Sequence, residues 1–117
     1  MSGKFQPKEK VDLDPPLDTP YTVEELAQYD GVKNPKVYVA IKGVIFDVTR
    51  NTASYGPGKG YNVFVGKDAS RALAKSSLKV EDAIAKYDDL PEKELKVLDD
   101  WFTFFSNRYN IVGRVVQ

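Results

Sequence analysis

The chain has 117 residues with 17 basic and 17 acidic side chains, no cysteine, no histidine and one methionine, at its start. That length suits a single domain able to bury a core without staples, and the balanced charge supplies no field for nucleic acid or an anionic membrane. The missing residue types exclude disulfides, thiolate or imidazole metal sites, and the Ser-His-Asp and Cys-His hydrolases, which lack their general base here.

Residues 1–20 hold four of the seven prolines and charges of both signs, with Phe5 the only aromatic, and read as a flexible tail preceding a domain over 21–117. No run is long and apolar enough for a signal peptide or a membrane span, so the polypeptide as given is expected to be cytoplasmic. Thr22 followed by Glu25 is a capping-box signature that opens a short helix stopped at Asp30-Gly31. Residues 36–41 and 44–48 are β-rich runs around Lys42-Gly43 and predict a hairpin. Val37, Val39 and Ile41 share one face; Ile45 and Phe46 are expected on the buried side, with the register open.

Four of the eight glycines fall in 54–74. Gly56-Pro57-Gly58-Lys59-Gly60 can continue neither helix nor strand, and Tyr55 and Tyr61 bracket it. Val63, Phe64 and Val65 follow, then Asp68 reads as the N-cap of a helix over 69–74, with Arg71 forming a surface pair with it. A weaker helix is predicted over 80–85. The longest begins with Pro91 in its first turn and buries a stripe of Leu95, Leu98, Phe102 and Phe105 widened by Trp101, while Glu92, Glu94, Asp99 and Asp100 form a solvated face. Residues 111–116 read as a closing strand. The element order predicts a small α+β domain with helices clustered beside a sheet.

Tyr38–Thr49, Tyr55-Gly-Pro57, Tyr61–Ala74 and Tyr109–Gly113 resemble the membrane-associated progesterone receptor family, over about residues 21–116 in unbroken order. The resemblance implies a cytochrome b5-like haem/steroid-binding domain that holds haem without a histidine pair. Tyr61 matches the family's iron ligand, and a hard phenolate oxygen suits ferric iron. Tyr55 and Tyr109 match supporting positions at the pocket, and Arg108 a basic position able to pair with a propionate. Ser54 stands where a large aromatic is common, Gly58-Lys59-Gly60 replaces the usual loop order, and Val65 replaces alanine. The Tyr55 to Tyr61 spacing is kept.

Residue type alone reads Tyr61 as a half-buried loop tyrosine with its hydroxyl in water, and Tyr55 and Tyr109 equally as core rings with satisfied hydroxyls. Arg108 alone reads as a solvated cation at a helix C-terminus. The function the resemblance implies is non-catalytic: a module carrying ferric haem b through a tyrosinate, acting on haem-thiolate monooxygenases of sterol metabolism or other endomembrane proteins, peripherally at the endoplasmic reticulum. A steroid-binding cleft without haem and a pure interaction domain are the alternatives. One open haem face implies a weak, haem-dependent homodimer.

Overall fold

In the computed structural model, which describes residues 13–116, the Lys42-Gly43 turn forms the hairpin that makes one end of the sheet. Lys42 at φ 53° and Gly43 at φ 78° form a turn with both central residues left-handed, whose twist matches the flanking strands. Strands β2 (Tyr38–Ile41) and β3 (Val44–Asp47) therefore pair antiparallel with Ile41 opposite Val44. Of the tail expected over 1–20, residues 1–12 lie outside the described residues, as does Gln117.

Strand β4 (Asn110–Val116) lies antiparallel to β3, and with β1 (Pro20–Thr22) the sheet order is β1-β4-β3-β2. Strand β1 has no counterpart among the elements read from the sequence and pairs parallel to the end of β4. Three residues opened by a proline carry no alternation to detect. The preceding segment also lies against β4: Leu17 N–H donates to the Ile111 carbonyl, and Arg114 pairs with Asp18. A register shift falls where Ile45 faces Gly113 while Phe46 faces Ile111, so Val112 is the extra residue of a bulge.

Both faces of the sheet are covered. Val37, Val39, Ile41 and Phe46 face the larger core, closed by α3 (Ser70–Ala74) and α4 (Glu92–Arg108). Tyr38, Ala40 and Ile45 face a smaller one under α1 (Val23–Leu26). Ile45 and Phe46 are thus both buried, as expected, but on opposite faces. In the larger core Phe46, Leu98 and Phe105 are wholly buried, each stabilising the fold by about 1.5–3 kcal/mol. In the smaller one Tyr29 stacks on Tyr38 at 4.3 Å and Tyr21 meets both edge-on.

The capping box forms as read, Thr22 and Glu25 exchanging side-chain to backbone bonds of 2.8 and 3.0 Å. Other expectations need correction. The N-cap of α3 is Ala69, not Asp68. Asp68 instead joins α3 to the hairpin, accepting from the Ser70 N–H and hydroxyl and, 25 residues away, from the Gly43 N–H. Arg71 pairs with Asp89 at 2.8 Å rather than with Asp68. The helix expected over 80–85 is a 3-10 turn, Val80–Asp82, because Ala83 leaves helical geometry and the Ile84 carbonyl accepts from the Arg71 N–H. Pro91 is the N-cap of α4 rather than part of its first turn. The carboxylate face of α4 is not wholly solvated either: Asp99 pairs with Lys42, and Glu94 Oε1 is buried 3.9 Å from Lys75 Nζ.

Two outcomes test this packing. A Cβ on Gly113 would stand 2.3 Å from the Thr19 carbonyl oxygen and 2.6 Å from the Tyr21 ring. Gly113→Ala should therefore destabilise the protein by about 1–3 kcal/mol, read from chemical denaturation; an unchanged midpoint would refute the close approach. Burial raises the Tyr38 hydroxyl well above the usual phenol range, helped by its neighbour Tyr21 and the charge of Asp47. The folded chain then keeps a proton that the unfolded chain releases above about pH 10, so stability is full below that pH and falls above it. Tyr38→Phe should flatten this alkaline limb relative to the parent protein.

Candidate functional site

The segment between Asp47 and α3 folds as consecutive short turns. Thr49 is seated by Asp47, which accepts its N–H and hydroxyl, and Thr49 in turn accepts the Val37 N–H at 2.9 Å. Residues Thr49–Asn51 make a 3-10 turn leading into α2, Thr52–Tyr55, a helix absent from the sequence reading. The glycine loop leaves α2 and returns, closed by the Tyr61 N–H donating to the Ser54 carbonyl at 3.0 Å and by Asn62 Nδ2 donating to the Tyr55 carbonyl at 2.9 Å. Tyr61 then opens a second 3-10 turn, Asn62–Phe64.

This geometry brings the four candidate residues into one neighbourhood. The Tyr55 ring is 3% exposed and lies 5.6 Å from Tyr61 and 6.4 Å from Tyr109. Phe105 of α4 backs them, 6.1 Å from Tyr55 and 5.2 Å from Tyr109. Arg108 ends α4 with its guanidinium over Phe104 at 5.1 Å and Tyr109 at 6.0 Å. Burial, reinforced by Tyr109 and Tyr61, holds the Tyr55 hydroxyl above its ordinary range against the opposing pull of Arg108. Tyr55 therefore stays a neutral donor at physiological pH. Tyr109 is fixed by Asn51, whose Nδ2 donates to its hydroxyl at 2.9 Å.

Tyr61 differs from its neighbours. It is 40% exposed and stacks on Phe64 at 5.8 Å, and its hydroxyl, like that of buried Tyr55, has no hydrogen-bond partner among the described residues. With Phe64, Leu73, Leu78 and Trp101 it lines a cleft of about 220 Å³ between the loop, α3 and α4. Tyr55, Arg108 and Tyr109 do not line that cleft but stand behind Tyr61. Trp101, assigned to the core stripe from its spacing, both packs on the core and forms a wall of the cleft. Leu78 sits after the loop that ends α3, and nothing in its local sequence marks it as a cleft residue.

The donor set bears on which prosthetic group fits. Among the described residues no three histidine, cysteine or carboxylate groups gather to hold a metal ion. A planar apolar group needing one oxygen ligand would meet the Tyr61 phenol and the apolar walls of Phe64, Leu73, Leu78 and Trp101, a donor set compatible with it.

Residues 22–109 match the family described as Cytochrome b5-like Heme/Steroid binding domain. The chain is 50% identical over 98 residues to the Arabidopsis thaliana protein named Probable steroid-binding protein 3, covering 83% of this chain and 98% of that protein. It is 41% identical over 104 residues to the cytochrome P450 regulator dap1 of Schizosaccharomyces pombe, covering 83% and 63% of the two chains. It is 37% identical over 100 residues to membrane-associated progesterone receptor component 2 of Homo sapiens, covering 83% and 45%. The chain thus spans about half to two thirds of the last two relatives. A solved structure of a hypothetical Arabidopsis thaliana protein with a cytochrome b5 like fold superposes at a TM-score of 0.77 with 48% identity, covering 84% and 91%. Both the expected fold and the expected resemblance therefore hold: the chain belongs to the cytochrome b5-like haem/steroid-binding domain family, of the kind that includes the membrane-associated progesterone receptor components.

Proposed function

We propose that this chain is a non-catalytic haem-binding module in which the Tyr61 phenolate holds ferric iron. One observation carries the reading: Tyr61 is an exposed tyrosine whose hydroxyl has no partner among the described residues, at an apolar cleft in a chain without histidine or cysteine. The imidazole and thiolate ligands usual for haem are absent from the sequence, and tyrosine is an axial ligand in another haem class. Tyr55, kept neutral by burial, suits a donor to the phenolate oxygen. Arg108 suits a propionate, and Asn51 and Phe105 hold Tyr109 as a positioning group. When bound, the group supplies an oxygen-ligated ferric centre; the chain's own residues bind and orient it.

The relative named as a cytochrome P450 regulator supports haem-thiolate monooxygenases as partners. The relatives named as steroid-binding support a second reading, an apolar ligand such as a steroid against Leu73, Leu78 and Trp101 without haem. Relatives named as membrane-associated or membrane steroid-binding support a peripheral place at endomembranes; no helix among the described residues is long and apolar enough to cross a membrane. The cleft is smaller than the roughly 300–1,000 Å³ of pockets that engulf a ligand. A macrocycle seated there leaves apolar surface outside, beside exposed Leu78 and Phe104, and such surface favours a second loaded copy in a weak homodimer.

Haemin titration followed by the Soret band tests the ligand. Tyr61→Phe keeps the ring packing on Phe64 and should lose nearly all affinity with an unchanged circular dichroism spectrum; equal haem retention would sink the assignment. Tyr55→Phe, Arg108→Gln and Tyr109→Phe together should weaken binding by about tenfold to a hundredfold, and unchanged affinity would return all three to purely structural roles. Assembly is read by sedimentation across a concentration series, where the apo-protein should stay monomeric while the mass of the loaded protein rises. Identical masses in both states would leave the open face without an assembly role.

A further inference from the structure

A second cavity, of about 260 Å³, shares no lining residue with the Tyr61 cleft. Val23 of α1, Val115 of β4, and Ala83 and Ile84 give it apolar walls, with Lys67 and Asp68 the polar groups on it. Val23 and Ile84 are among the large apolar side chains left exposed.

Asp68 is what gives this cavity chemical direction. Its Oδ1 accepts both the Ser70 N–H and hydroxyl, whereas Oδ2 accepts only the Gly43 N–H at 2.8 Å among the described residues. A carboxylate oxygen has room for a further donor. Desolvation raises the Asp68 pKa more than these bonds lower it. Lys67 beside it disfavours an ammonium ligand, and Asp68 itself disfavours a carboxylate. A neutral hydroxyl, which donates and carries no charge, satisfies both.

The geometry points to a binding site for a small, rigid, neutral apolar alcohol, its carbon cage against Val23, Ala83, Ile84 and Val115 and its hydroxyl donating to Asp68 Oδ2. This site is independent of the haem reading, since the Tyr61 loop contributes nothing to it. Asp68 is also structural, tying the hairpin turn to α3, so the discriminating variant is placed elsewhere. Ala85 is exposed and lines the cavity, so Ala85→Phe narrows it without disturbing a buried contact.

The test is heteronuclear NMR of the full chain titrated with 1-adamantanol. Methyl signals of Val23, Ile84 and Val115 should shift saturably while Leu73 and Trp101 stay unmoved, in the parent protein and in Tyr61→Phe alike. Ala85→Phe should weaken binding at least about tenfold, and 1-methoxyadamantane, which cannot donate, should bind about tenfold more weakly than the alcohol. The absence of saturable shifts, shifts centred on Leu73 and Trp101, or unchanged affinity in Ala85→Phe would overturn the site. Equal binding of the ether would overturn the bond to Asp68.

Discussion

The candidate site depends on a backbone clamp along the edge of the sheet. Gly66 N–H donates to the Tyr38 carbonyl, Ala40 N–H to Lys67, and Ala69 N–H to Ala40, so residues 66–69 run beside β2 as a partial fifth strand. These bonds remove the unpaired groups that a bare β2 edge would present. They also fix where the loop carrying Tyr61 must end and where α3 must begin. Asp68 strengthens the clamp by bonding both the hairpin turn and Ser70. The position of Tyr61 opposite Leu73 and Trp101 is therefore inherited from a sheet that does not touch the cleft.

A division of labour among the tyrosines follows from burial. Tyr55 and Tyr109 are almost fully enclosed, and Tyr109 has its hydroxyl held by Asn51, so their rings are fixed supports. Tyr61 has a fixed backbone, through the Ser54 bond, and a ring left partly in solvent. A ligand side chain benefits from that combination: its position is set beforehand, while its oxygen remains uncommitted. Tyr38, on the other face of the sheet, shows the contrast, since its burial in the Tyr21 and Tyr29 cluster serves packing alone.

What was legible in the sequence was local. The Thr22 and Glu25 box, the Lys42-Gly43 hairpin and the Leu98 to Phe105 stripe each need only neighbouring residues, and each stands in the structure. What failed depended on distant partners. Asp68 was read as an N-cap because its bond to Gly43 crosses 25 residues, and the helix over 80–85 was lost to the bond between Ile84 and Arg71. Strand β1 has no pattern of its own and exists because β4 offers it an edge. The same limit applies to the cleft: Tyr61 could be singled out from the family's loop, whereas Leu78 and Trp101 become walls only once α3 and α4 pack together.

Strand β4 sits between β1 and β3, so the last described element of the chain occupies the interior of the sheet. During synthesis, residues 13–109 can form the hairpin and helices locally, yet β1 has nothing to pair with and one side of β3 stays open. Closure must wait until residue 116 has cleared the ribosome, and the sheet then completes in one step joining positions more than about 90 residues apart. Any nascent chain halted before β4 would carry two unsatisfied strand edges. Such truncated products are the ones expected to aggregate or to be degraded, because the sheet that positions the cleft closes only once β4 is in place.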